Sequence, residues 1–178
     1  MTKKPTTRER LLEAYRLLEN VTPLPYDCGR LCGARCCKPS PDERVELGMW
    51  LLPHEKELLE DCEGYVFRVS EDGTETLTCS GVCDRKKRPF ACRIYPYYPS
   101  IKEENGRYRI SILRDPRAAL SCPLVSSGSH MRSSVFFARA ASRAVRVLLG
   151  DGELREELLK SAEFLDEIET LRRRFFSR

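Results

Sequence analysis

Four cysteines crowd into ten residues: Cys28, Cys32, Cys36 and Cys37 run as C-x3-C-x3-C-C through the segment DCGRLCGARCCKPSPD. So few aliphatic side chains cannot offset the chain entropy of ordering this stretch, whereas thiolate coordination supplies on the order of 10 kcal/mol of folding free energy in structural zinc sites. A helix would spread the sulfurs of Cys28, Cys32 and Cys36 along one face over about 12 Å, too far apart for one ion. Gly29 and Gly33 instead favour a loop wrapped tightly around something small.

A second group follows at Cys79, Cys83, Cys92 and Cys122, the last before Pro123. Cys62 stands apart at the end of an expected helix and is read as a small buried hydrophobe. Without it, eight thiols are candidate ligands, enough for two four-coordinate sites or for one site with thiols to spare. Spacing leaves that partition open. Nine cysteines among 178 residues, in a compartment that keeps thiols reduced, point to metal or redox chemistry before disulfides.

Cys83 and Cys92 bracket DRKKRPFA, and the chain continues as CRIYPYYP. Cations beside thiols lower their pKa values and offset the charge of a tetrathiolate, a role for which Arg88 and Arg93 are the better candidates. Lys86 and Lys87 read as a solvated basic turn. The two histidines, His54 and His130, form neither H-x3-H nor H-E-x2-H, which counts against a hydrolytic zinc site built on imidazoles. No phosphate-binding loop and no G-x-S-x-G elbow is present.

Around these motifs the pattern predicts a single α+β domain over 1–178. Thr6 and Glu9 have capping-box spacing, and Leu11, Leu12, Tyr15 and Leu18 then mark one apolar face of a helix over 6–20. A cysteine-cluster core is expected over 26–125, with Trp50 as a core anchor and a short helix over 54–61. Alternating stretches flank Asp72-Gly73 and Asn105-Gly106, which predicts two antiparallel hairpins. Residues 130–178 form a helical tail broken at Gly150-Asp151-Gly152.

Charge excludes little: 31 Lys and Arg against 27 Asp and Glu leave +4, well short of a dedicated nucleic-acid binder. Arg132, Arg139, Arg143 and Arg146, with Arg172, Arg173 and Arg174, could pair with phosphates, but they read as a solvated face, and Phe136, Phe137 and Phe164 are as easily core packing as base-stacking platforms. Nucleic acid is therefore disfavoured as a partner, and a protein partner on the helical tail is the alternative. No apolar run approaches 18 residues and the first residues lack a signal-peptide pattern, so no membrane contact and a cytoplasmic location are expected.

The two cysteine segments together, CGRLCGARCC and CDRKKRPFACRIYP, resemble the YkgJ-type zinc- or iron-chelating cysteine-cluster family. Arg88, Pro89, Cys92, Arg93, Tyr95 and Pro96 fall one by one on that family's later signature, and Cys83 matches its leading cysteine. The first segment has x3 gaps where the family has x2, leaving open which of Cys28 and Cys32 joins Cys36 and Cys37. The resemblance covers 26–125 and implies a metal rather than a reaction. The helices outside it are expected to cap the metal core or bind a partner. The flagellin lysine N-methylases are similar in their CC cluster and RP-x-x-C-R motif and suggest an iron–sulfur centre coupled to methyl transfer. This chain lacks the glycine-rich strand-to-helix turn of a Rossmann-like S-adenosylmethionine site and the C-x3-C-x2-C spacing of a radical cluster.

The expectation is a small metal-centred, cysteine-rich core with short antiparallel hairpins, an N-terminal helix and a C-terminal helical tail. Cys32, Cys36, Cys37 and Cys92 are the leading ligands, with Cys28, Cys79, Cys83 and Cys122 as further candidates and Arg88, Arg93 and Tyr95 beside them. An iron–sulfur cluster is preferred to zinc, because compact C-x2-C knuckles are missing and Cys122-Pro123 matches the ending of ferredoxin cysteine runs. A metal-dependent enzyme similar to the flagellin methylases is the first alternative, and a zinc-stabilised nucleic-acid or protein interaction module the second.

Overall fold

The computed structural model describes residues 4–24, 33, 35–37, 48–71, 73–79, 84–126 and 133–176. From the amino end its elements are α1 (Thr7–Leu18), β1 (Met49–Trp50), α2 (Glu55–Leu59), β2 (Tyr65–Val69), β3 (Glu75–Cys79), α3 (Phe90–Ile94), β4 (Tyr97–Glu104), β5 (Arg107–Arg114), α4 (Ala118–Ser121), α5 (Pro123–Ser126), α6 (Val135–Leu148) and α7 (Gly152–Phe176), with 3-10 turns at Arg35–Cys37 and Arg85–Lys87. The chain is α+β, as its patterning requires.

Local signals are used where they occur. The Glu9 amide donates to Thr6 Oγ1 at 3.2 Å and the Thr6 amide to Glu9 Oε2 at 2.7 Å, completing the capping box of α1. Its buried face is Leu11, Ala14, Tyr15 and Leu18, spaced i, i+3, i+4, i+7. Leu12, expected on that face, is rotated off it and is 37% exposed. Asn105 and Gly106 both take positive φ, 52° and 70°, and Glu104 pairs with Arg107, so β4 and β5 close through a two-residue turn of the type that matches strand twist. Gly73, at φ 82°, lies in the turn between β2 and β3. The apolar stretch before Pro53 supplies a strand that sequence patterning did not announce: β1 pairs antiparallel with β3, giving the order β1-β3-β2.

The helices outside the cysteine segments are not mere caps. Leu11 and Leu18 of α1, Phe137, Val145 and Leu148 of α6, and Leu154 and Leu158 of α7 share the main apolar core with Phe90, Ile94, Tyr97 and Ile101. Ser134 caps α6 through the Phe137 amide at 3.0 Å. Asp151 caps α7 through the amides of Glu153 and Leu154 and takes the Thr7 hydroxyl at 2.8 Å, joining the start of α7 to the start of α1. Phe137 is fully buried and packs the core, whereas Phe136 and Phe164 are 77% and 46% exposed. Arg139, Arg143 and Arg146 lie on the solvent face of α6, and Arg132 falls outside the described residues. A smaller cluster of Leu51, Leu59 and Leu77 underlies the three-stranded sheet, with Cys62 packed against it.

Candidate functional site

The segment RPFACRIYP becomes a turn, a short helix and the start of a strand. Pro89, at φ −63°, occupies the position before α3, where its missing amide proton costs nothing. The Phe90 amide donates to Glu55 Oε1 at 2.6 Å, the Leu52 amide donates to Glu55 Oε2 at 2.8 Å, and the Tyr15 hydroxyl donates to Oε1 at 2.5 Å. Glu55 is fully buried. It thus joins α1, the approach to α2 and the start of α3 through one carboxylate. Burial raises its pKa, against the lowering effect of these hydrogen bonds and of Arg93.

Arg93 is buried and faces the backbone. Its Nε donates to the Arg88 carbonyl at 2.7 Å, its Nη2 to the Lys86 carbonyl at 2.6 Å, and its guanidinium lies 4.2 Å above the Tyr15 ring. Its donors hold the basic turn closed over α3. Arg85 extends the same clamp to the end of α1, donating from Nη2 to the Val21 carbonyl at 2.6 Å and from Nε to the Glu19 carbonyl at 3.3 Å. Lys86 and Lys87 are exposed and Arg88 is half-buried.

So anchored, α3 presents Cys92 to a cavity of about 270 Å³ whose wall also carries Cys36, from the 3-10 turn, and Cys79, from the last position of β3. Trp50, Phe90, Tyr95, Tyr97 and Tyr98 supply aromatic lining, and α7 closes one side with Leu158, Ala162 and Leu165. Trp50 is therefore a half-buried cavity wall rather than a core anchor; Phe164 lies 5.5 Å from it and the Arg117 guanidinium 4.4 Å over its ring. The Tyr95 hydroxyl meets Ser121 Oγ at 2.5 Å. Burial pushes its phenol well above the ordinary value; Ser121 pulls it down, while Cys122, Cys36 and Asp115 push it up.

Cys122 is buried beside Ala118 and Val125, with Tyr95 packed against that group. Cys28, Cys32 and Cys83 lie outside the described residues, and only the backbone of Cys37 is described. Among the described residues, no three His, Cys, Asp or Glu side chains are close enough together to hold a metal ion. Cys36, Cys79 and Cys92 line one cavity from three separate parts of the chain.

Glu55, Asp115 and Asp166 are among the buried or half-buried carboxylates that spacing alone did not single out. The Tyr98 and Ser100 hydroxyls donate to Asp166 at 2.7 and 2.8 Å, fastening β4 to α7. Asp115 receives Nε and Nη2 of Arg117 at 3.1 and 2.8 Å. No helix among the described residues is long and apolar enough to cross a membrane. Comparison with known proteins found no matching family model, curated protein or solved structure.

Proposed function

We propose that this chain is a cytoplasmic metal-binding protein of the YkgJ-like cysteine-cluster kind, holding an iron–sulfur cluster in preference to zinc. The ligands are drawn from Cys28, Cys32, Cys36, Cys37, Cys79, Cys83, Cys92 and Cys122. The single observation that supports this reading is the arrival of Cys36, Cys79 and Cys92 at one cavity although they are far apart in the chain.

Anaerobic purification, an absorption spectrum and analysis for iron, zinc and acid-labile sulfide test the reading. Broad absorption near roughly 400 nm with matching iron and sulfide is the expected outcome. A colourless protein with stoichiometric zinc would replace the cluster by a structural ion. Cys36→Ser and Cys92→Ser should each lower metal content sharply, whereas Cys62→Ser should not. Full metal content in both of the first two variants overturns the assignment.

A metal-dependent enzyme is the second reading, favoured by the position of the cavity itself. A mostly apolar hollow with a few placed polar groups, adjoining three thiols, is the form that small-molecule sites take.

A further inference from the structure

The polar groups on the cavity wall already have partners. Tyr98 donates to Asp166, Tyr95 pairs with Ser121, Ser161 Oγ donates to Glu157, and Asp115 is held by Arg117. A charged ligand entering this space would give up its hydration and gain little in return. The remaining surface is apolar and rich in rings. Trp50 is fixed from two directions, by Phe164 and by the Arg117 guanidinium, so it presents a rigid wall rather than a side chain free to collapse inward. Apolar hollows of this kind accept small apolar molecules, and about 270 Å³ is room for one or two fused rings.

We propose that the cavity lined by Trp50, Cys79 and Cys92 is a binding site for a small uncharged aromatic molecule. The site goes beyond metal binding and does not depend on which metal, if any, the thiols carry. A ligand seated there would lie against the sulfurs. Its chemistry is set by the walls: ring stacking and apolar contact supply the affinity, and the engagement of Arg117, the cationic residue of the lining, with Asp115 weakens its pull on anions of the same shape.

The test uses the full chain as purified, with the metal content of every sample measured alongside. Isothermal titration with 1-naphthol is compared with titration by 1-naphthoate, a charged molecule of similar size. One saturable site for 1-naphthol is expected, with binding of 1-naphthoate weaker by about tenfold or more. Ser161→Phe and Thr78→Phe, from two sides of the cavity, should each abolish 1-naphthol binding while leaving metal content unchanged; circular dichroism establishes which of them fold. The site is disproved if 1-naphthol shows no saturable binding, if 1-naphthoate binds equally well, or if either variant folds and binds like the unmodified protein. Should neither variant fold, the pair of titrations on the unmodified chain decides alone. A purified chain that holds no metal yet binds 1-naphthol would count against the metal reading and leave this site standing.

Discussion

The Tyr15 hydroxyl and the Glu55 carboxylate meet at 2.5 Å inside the protein, forty residues apart in sequence. Tyr15 also carries Arg93 on its ring, so the carboxylate, the phenol and the guanidinium form one buried array between α1 and α3. Replacing Glu55 with Ala would orphan the Tyr15 hydroxyl and the amides of Leu52 and Phe90 and remove one of the acidic groups acting on Arg93. A loss of about 3 kcal/mol in urea unfolding is expected.

The same array makes stability depend on pH in a definite direction. Burial raises the Glu55 pKa above its value in the unfolded chain, so the folded state holds this proton more tightly. The resulting stabilisation is fully present below the ordinary glutamate range and is lost as pH rises through the raised value. The difference in unfolding midpoint between the unmodified protein and Glu55→Gln should therefore narrow or change sign as pH rises through that window. A difference constant from about pH 4 to 8 would show that Glu55 does not titrate differently in the folded state.

Arg93→Lys tests the clamp over α3. A lysine ammonium cannot reach the Arg88 and Lys86 carbonyls together in the fork geometry of Arg93, and it loses the planar contact with Tyr15. Unfolding experiments should register a loss of about 1–2 kcal/mol. Hydrogen exchange of residues 85–94 should accelerate more than that of α6. Equal acceleration throughout would mean that Arg93 acts on global stability without a particular hold on this turn.

What could be read from the sequence was what neighbouring residues determine. The Thr6–Glu9 capping box, the Asn105-Gly106 turn and the break between the last two helices each depend on side chains within a few positions of one another. The RP-x-x-C-R-x-Y-P string did not say what Arg93 does. Its partners are carbonyls and a ring on α1, which no spacing rule supplies. Glu55 was invisible for a related reason: in EKELL it resembles any exposed helical glutamate, and only the arrival of Tyr15 and Phe90 from elsewhere makes it internal. The cavity likewise exists only once β1, β3, α3 and α7 are assembled, so Trp50 and Leu12 were assigned by hydrophobicity to places they do not occupy.

Asp166 offers a cleaner measure of tertiary fastening, because the Tyr98 and Ser100 hydroxyls both end on its carboxylate. Tyr98→Phe should cost about 1 kcal/mol, and Asp166→Ala more, since it strands two donors. The double variant should fall short of the sum of the single losses. Additivity within about 0.5 kcal/mol would show that the β4–α7 contact draws nothing from this pair.

Metal removal should act locally before it acts globally. The main core is made by α1, α3, α6, α7 and β4 from apolar side chains, and it contains none of the described cysteines. Cys79 and Cys92, by contrast, end a strand of the outer sheet and occupy a five-residue helix. If thiolates from these segments share a metal, a chelator should loosen residues 26–40 and 79–96 while α6 and the first half of α7 keep their protection. Hydrogen exchange with mass detection, before and after chelation at constant pH, reads this directly. Uniform protection loss in α6 would mean that the metal holds the whole fold, and unchanged protection over 79–96 would mean that Cys79 and Cys92 bind none of it.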